Sequence, residues 1–102
     1  MHISIESKRD EIIALCERFG VVRLDLFGSA TTDAFDEARS DADFYVEFRG
    51  GEGFDHFGAY FGLKEELEAL LGRHVDLVMS RSLENPYFRE SLESTREPVY
   101  AA

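Results

Sequence analysis

A chain of 102 residues that is 44% hydrophobic, with nine Phe and four Tyr, is long enough for one packed domain and too apolar for disorder. Its 21 acidic against 11 basic residues, a formal charge of −10, repel phosphate backbones and exclude direct binding of nucleic acid, though metal ions could screen a nucleotide's phosphates. Cys16 is the only cysteine, no apolar run approaches the ~18 residues of a membrane span, and Met1 to Asp10 lacks a signal peptide's apolar stretch, so the expectation is a cytoplasmic protein with one domain over residues 1–102, no disulfide framework and no thiolate cluster.

Ser7 with Asp10 three residues on has the form of a capping box. Ile12, Ile13, Cys16 and Phe19 recur at helical spacing and Gly20 stops them, which predicts a helix from about Lys8 to Phe19. Val22, Leu24 and Leu26 alternate with Arg23 and Asp25 as in a strand that ends at Phe27 and runs into Gly28-Ser29. Residues 30–40 are small and polar, a short helix or a loop. From Asp41 the alternation is strict, with Asp41, Asp43, Tyr45 and Glu47 on one face and Ala42, Phe44, Val46 and Phe48 on the other. The second face is core, so the first looks into a cleft or solvent.

After a glycine-rich break, Phe57, Tyr60, Phe61, Lys64, Leu67, Leu70 and Leu71 trace a helical stripe ended by Gly72, and the aromatics are expected in the core. Glu65, Glu66 and Glu68 are expected on a solvated helix face. His74 to Met79 is the third strand, with Asp76 sharing a face with His74 and Val78. Asn85-Pro86 caps a short helix over Tyr87 to Ser94, and the tail Pro98-Val99-Tyr100 is extended. Strands two and three, joined through a long helix, are expected parallel, and strands one and two antiparallel. The fold class is α+β (α/β), a small mixed β-sheet with helices packed on one face.

In a strand, residues i and i+2 lie ~6.6 Å apart on the same face. Asp41 and Asp43 so placed repel each other, and a divalent cation relieves that repulsion. With Asp76 they form the oxygen-rich constellation that metal-assisted phosphoryl or nucleotidyl transfer needs. Each piece has a plainer reading alone: Gly28-Ser29 as a turn, Asp76 as an exposed strand residue, the Asp pair as a solvated edge. His2, His56 and His74 lack metal-ligand spacing, so zinc is not expected, and His74 is read as a solvated neighbour of the cleft.

Leu26-Phe27-Gly28-Ser29-Ala30, Arg39-Ser40-Asp41-Ala42-Asp43-Phe44 and Gly72-Arg73-His74-Val75-Asp76-Leu77-Val78 together resemble the nucleotidyltransferase superfamily, and within it the minimal nucleotidyltransferases that serve as antitoxins beside HEPN-domain toxins. The resemblance spans roughly Ile12 to Tyr100 and implies a polymerase β-like palm fold. It implies that Gly28 and Ser29 hold nucleotide phosphates, and that Asp41 and Asp43 bind Mg²⁺, or Mn²⁺ in its place. Asp76 would be the third carboxylate, holding metal and activating the incoming hydroxyl. It further implies transfer of AMP from ATP to a tyrosine of a HEPN toxin, within a hetero-oligomer of the two proteins. One departure is visible: many members carry an Arg-Gly pair shortly after the Gly-Ser turn, where this chain reads Ala30-Thr31-Thr32-Asp33, with Arg39 as a substitute cation. The alternative it favours is a catalytically impaired, nucleotide-binding antitoxin that neutralises its toxin by steric masking. A sugar-nucleotide transferase, which also uses Asp-x-Asp, needs a larger sheet than this chain affords.

Overall fold

The computed structural model describes residues 3–31, 41–80 and 84–102, with only the backbone at 29 and 30. The elements in order are α1 (Ile3–Glu6), α2 (Arg9–Phe19), β1 (Val21–Phe27), a 3₁₀ turn (Gly28–Thr31), β2 (Ala42–Phe48), α3 (His56–Leu71), β3 (Val75–Val78), α4 (Pro86–Thr95) and β4 (Glu97–Ala101). The strands form one mixed sheet in the order β3-β2-β1-β4. β1 pairs antiparallel with β2, and β2 pairs parallel with β3 through the α3 crossover, as the sequence predicts; β1 also pairs antiparallel with β4, the tail expected only to be extended.

The helix ends follow local chemistry. Gly20 and Gly72 both take left-handed φ and close α2 and α3 by donating N–H to Cys16 O and Glu68 O. Asn85 Oδ1 accepts from Tyr87 N at 2.9 Å, with Pro86 in the first turn, as the sequence predicts. The capping box does not form: Lys8 occupies the cap of α2 without a side-chain bond, and the Ser7 hydroxyl donates instead to Ser4 O. The preceding turn α1 leaves Ser7 on a helix exit rather than an entry.

The main core lies on one sheet face. Leu24, Leu26, Phe44, Val46, Val75 and Leu77 meet Ile12 and Cys16 of α2 and Leu63 and Leu67 of α3. Helices do not stay on that face. Phe27, Tyr45 and Val78, the alternate residues of the same strands, are covered by Leu92 and Phe88 of α4. Tyr45, on the face expected to look into a cleft or solvent, is 5% exposed and packs as a structural residue. Conversely, Phe57 and Phe61, expected in the core, are 76% and 44% exposed, because Ala59, Leu63 and Leu67 form the buried stripe of α3 instead. Tyr60 packs at the core margin and donates its hydroxyl to Leu77 O at 2.8 Å.

β4 is an edge strand, which is where a sheet tolerates the missing N–H of Pro98. Asp25, on the α4 face of β1, is completely buried and accepts from Arg23 Nε and Arg96 Nε, both at 2.8 Å to Oδ2. Arg96 sits at the α4–β4 junction and also lies over the Tyr45 ring, 5.2 Å from its centroid. Among the described residues, no helix is long and apolar enough to cross a membrane.

Candidate active site

The site is built where β1 ends and β2 and β3 begin. Parallel pairing sets Asp43 directly beside Asp76, and antiparallel pairing sets it beside Phe27, the last residue of β1. Gly28 follows with φ +76°, and a Cβ there would lie 2.7 Å from Asp43 Oδ2, so the turn passes against the carboxylate with room for hydrogen alone. Asp41 stands exposed just ahead of β2, next to Ala42, whose N–H donates to His74 O at 3.1 Å.

Thus Gly28, Asp41, Asp43 and Asp76, the residues singled out from sequence, meet at one end of the sheet. The Ser29 side chain lies outside the described residues, as does Arg39; only the Ser29 backbone is placed, within the 3₁₀ turn. The turn is braced on both sides. Thr31 Oγ1 donates to Gly28 O at 2.8 Å, while Gly28 N–H donates to Thr95 Oγ1 at 2.7 Å. Thr95 Oγ1 in turn donates to Ser91 O at 2.6 Å, which ties the turn to the last turn of α4.

The electrostatics are those of crowded acids. Burial pushes the Asp43 carboxyl up to about 6, and Asp76 and Asp41 beside it push the same way. Asp41, His74 and Asp76 each offer a donor atom, all within 4.8 Å of one another. His74 Nε2 stands 3.3 Å from Asp76 Oδ1, and its Nδ1 stands 3.3 Å from Glu68 Oε2. Glu68 is no solvated bystander: the same oxygen accepts from Val75 N at 3.1 Å and from Lys64 Nζ at 3.0 Å. Those bonds, the backbone one first, hold its carboxyl below the usual range.

Sequence analysis set His74 beside the cleft as a solvated neighbour, where it lies, but not as a donor, and it missed Glu68 and Thr95. The signal was slight: Glu68 and His74 flank the left-handed Gly72, whose reversal folds the end of α3 back on β3. Chemically, a half-buried carboxylate held at raised proton affinity by its neighbours suits oxygen coordination of a hard divalent cation.

The profile of the nucleotidyltransferase domain family matches residues 12–99. The chain is 42% identical over 86 residues to the protein adenylyltransferase MntA of Thermococcus cleftensis, covering 84% of this chain and 80% of that one. A solved structure described as a candidate minimal nucleotidyltransferase superposes with a TM-score of 0.71 at 35% identity, covering 92% of this chain and 91% of that one. The fold also matches, at TM-score 0.65 and 21% identity over 95% of this chain and 72% of the other, a structure of a tri-AMPylated Shewanella oneidensis HEPN toxin in complex with MNT antitoxin.

Proposed function

Because the chain belongs to the nucleotidyltransferase domain family, we propose that it is a protein adenylyltransferase that moves AMP from ATP to a tyrosine hydroxyl of a HEPN-domain toxin and so acts as that toxin's antitoxin. The observation that carries this reading is the in-register pair Asp43 and Asp76, flanked by Asp41 and overhung by a glycine turn that no side chain could follow. The names of the Thermococcus relative and of the Shewanella complex support AMP transfer to a protein and a HEPN toxin as partner.

Asp41, Asp43 and Asp76 are assigned the divalent cation, Mg²⁺ or Mn²⁺, which when bound neutralises phosphate charge and so stabilises the transition state. Gly28 and Ser29 are assigned the phosphates: the absence of a Cβ at Gly28 keeps the approach open, and amides of a tight turn suit an anion. In the transfer, the acceptor oxygen bonds to the α-phosphorus of ATP, the bond from that phosphorus to the bridging oxygen breaks, and pyrophosphate leaves. The hydroxyl proton goes to a carboxylate, a role assigned to Asp76, whose side chain is 49% accessible.

The second reading, masking without catalysis, rests on the sequence Ala30-Thr31-Thr32-Asp33 in place of an Arg-Gly pair. One assay separates the two. Purified partner toxin is incubated with labelled ATP, divalent metal and either wild type or Asp76→Asn. Label on the toxin with wild type alone supports transfer. Silencing of the toxin by wild type without any label establishes masking and overturns the enzyme.

A further inference from the structure

His74 is the one nitrogen donor placed among the site's carboxylates in the described structure, and nothing in the transfer described above uses it. Its ring is oriented from both ends. Nδ1 faces Glu68 Oε2 at 3.3 Å and Nε2 faces Asp76 Oδ1 at 3.3 Å. Glu68 is itself fixed by Val75 N and Lys64 Nζ, so the carboxylate behind the imidazole is not a chance surface neighbour. A histidine whose far nitrogen is held by an anchored carboxylate, with its near nitrogen beside other donors, is the recurrent arrangement of histidine ligands in metal proteins. The donors of Asp41, His74 and Asp76 fall within 4.8 Å of one another; ligands at ~2.1 Å from one octahedral ion lie roughly 3 Å apart when adjacent and about 4 Å when opposite, so these exposed side chains need to close in by only several tenths of an ångström to share an ion.

We propose that His74 is a nitrogen ligand of the site's divalent cation, positioned by Glu68, and that it biases the site toward Mn²⁺ over Mg²⁺. Carboxylate oxygens serve both ions, whereas imidazole suits transition ions and gives Mg²⁺ little. Glu68 acts through His74 and touches no metal. The inference rests on the carboxylate site proposed above.

The test uses the whole chain, MnCl₂ and a non-hydrolysable ATP analogue. Pulsed electron paramagnetic resonance of bound Mn²⁺ is recorded with natural-abundance and with ¹⁵N-histidine-labelled protein. The expected result is a nitrogen coupling that changes isotope with the histidine label and is absent in His74→Gln. Glu68→Gln should weaken Mn²⁺ binding by roughly 10–100-fold, the usual loss when a ligand's orienting partner is removed, and should leave Mg²⁺ binding closer to wild type. Bound Mn²⁺ without histidine coupling in wild type overturns the role of His74 while leaving the carboxylate site standing. Failure of wild type to bind Mn²⁺ at all overturns both.

Discussion

At the scale of single residues, Asp43 is the group under most stress. Its carboxyl is raised from 3.8 to about 6 in the folded protein, first by burial and then by Asp76. A folded pKa above the unfolded one means the stabilising form is the protonated one. That contribution is complete below pH 3.8 and is lost as pH rises through about 6. In EDTA at pH 8, Asp43→Asn should therefore be more stable than wild type, by about 1–2 kcal/mol after discounting for partial solvent access and coupling. The gain should shrink toward zero near pH 4, and urea titrations at both pH values check it. A variant less stable than wild type at pH 8 would contradict the electrostatic account. With metal and nucleotide the sign of usefulness reverses: calorimetry should find divalent-dependent ATP binding lost in Asp41→Asn and in Asp43→Asn although both remain folded. Gly28→Val should fail more broadly, since its Cβ meets Asp43 Oδ2 and its backbone needs φ +76°, a left-handed conformation costing at least ~1–2 kcal/mol for a side-chain-bearing residue. A Gly28→Val protein that melts and transfers AMP like wild type would place the phosphates elsewhere.

At the scale of elements, α4 matters more than its sequence suggests. It covers the site's face of the sheet with Leu92 and Phe88, and its last residue holds the Gly28 amide. Thr95→Val keeps the shape but removes the acceptor, leaving the part-buried Gly28 N–H without its partner at a cost of about 1 kcal/mol. The expected effect on chemistry is a displaced turn. Activity in Thr95→Val should drop roughly 10–100-fold in kcat/KM, and Thr95→Ser should restore most of it, because the hydroxyl rather than the methyl is used. Equal activity in Val and Ser variants would remove Thr95 from any positioning role. What was readable from sequence divides along the same line. The strict period of two from Asp41 to Phe48, and glycines at the ends of α2 and α3, name the strands, their directions and the face of the acids. The role of α4 was hidden because Tyr45 and Val78 share their face with acids and so pass for lining of an open cleft. The tail was legible as extended, but its pairing with β1 was hidden because Pro98 breaks strand patterning, and only its edge position makes it acceptable.

At the scale of the whole molecule, the helix–sheet arrangement is locked by a charge cluster that periodicity cannot reveal. Asp25 alternates correctly as a polar residue, yet it is fully buried because Arg96, far along the chain, arrives with Arg23 to meet it. Removing one partner of a buried ion pair leaves an uncompensated charge, commonly 3–5 kcal/mol. Here Arg23 remains and both arginines reach solvent, so Arg96→Ala should cost about 2–3 kcal/mol in chemical denaturation. Arg96→Lys should recover part of that, lacking the planar stacking on Tyr45. A loss under about half a kcal/mol would show that β4 and α4 are held by apolar contact alone. Cys16, by contrast, behaves as the sequence implies: wholly buried, with burial pushing its thiol up to about 12, it is core and not chemistry.

The parallel register of β2 and β3 has a further consequence for how such a protein fails. Ala42 with Val75 and Phe44 with Leu77 pair on the core side in the same alignment that sets Asp43 beside Asp76 on the other. A slip by one residue would take Val75 and Leu77 out of the main core onto the acids' face and turn Asp76 into the apolar layer. Burial of the apolar residues therefore fixes the alignment of the two carboxylates: a misaligned chain forfeits its core, so the chains that stay folded share one arrangement of Asp43 and Asp76.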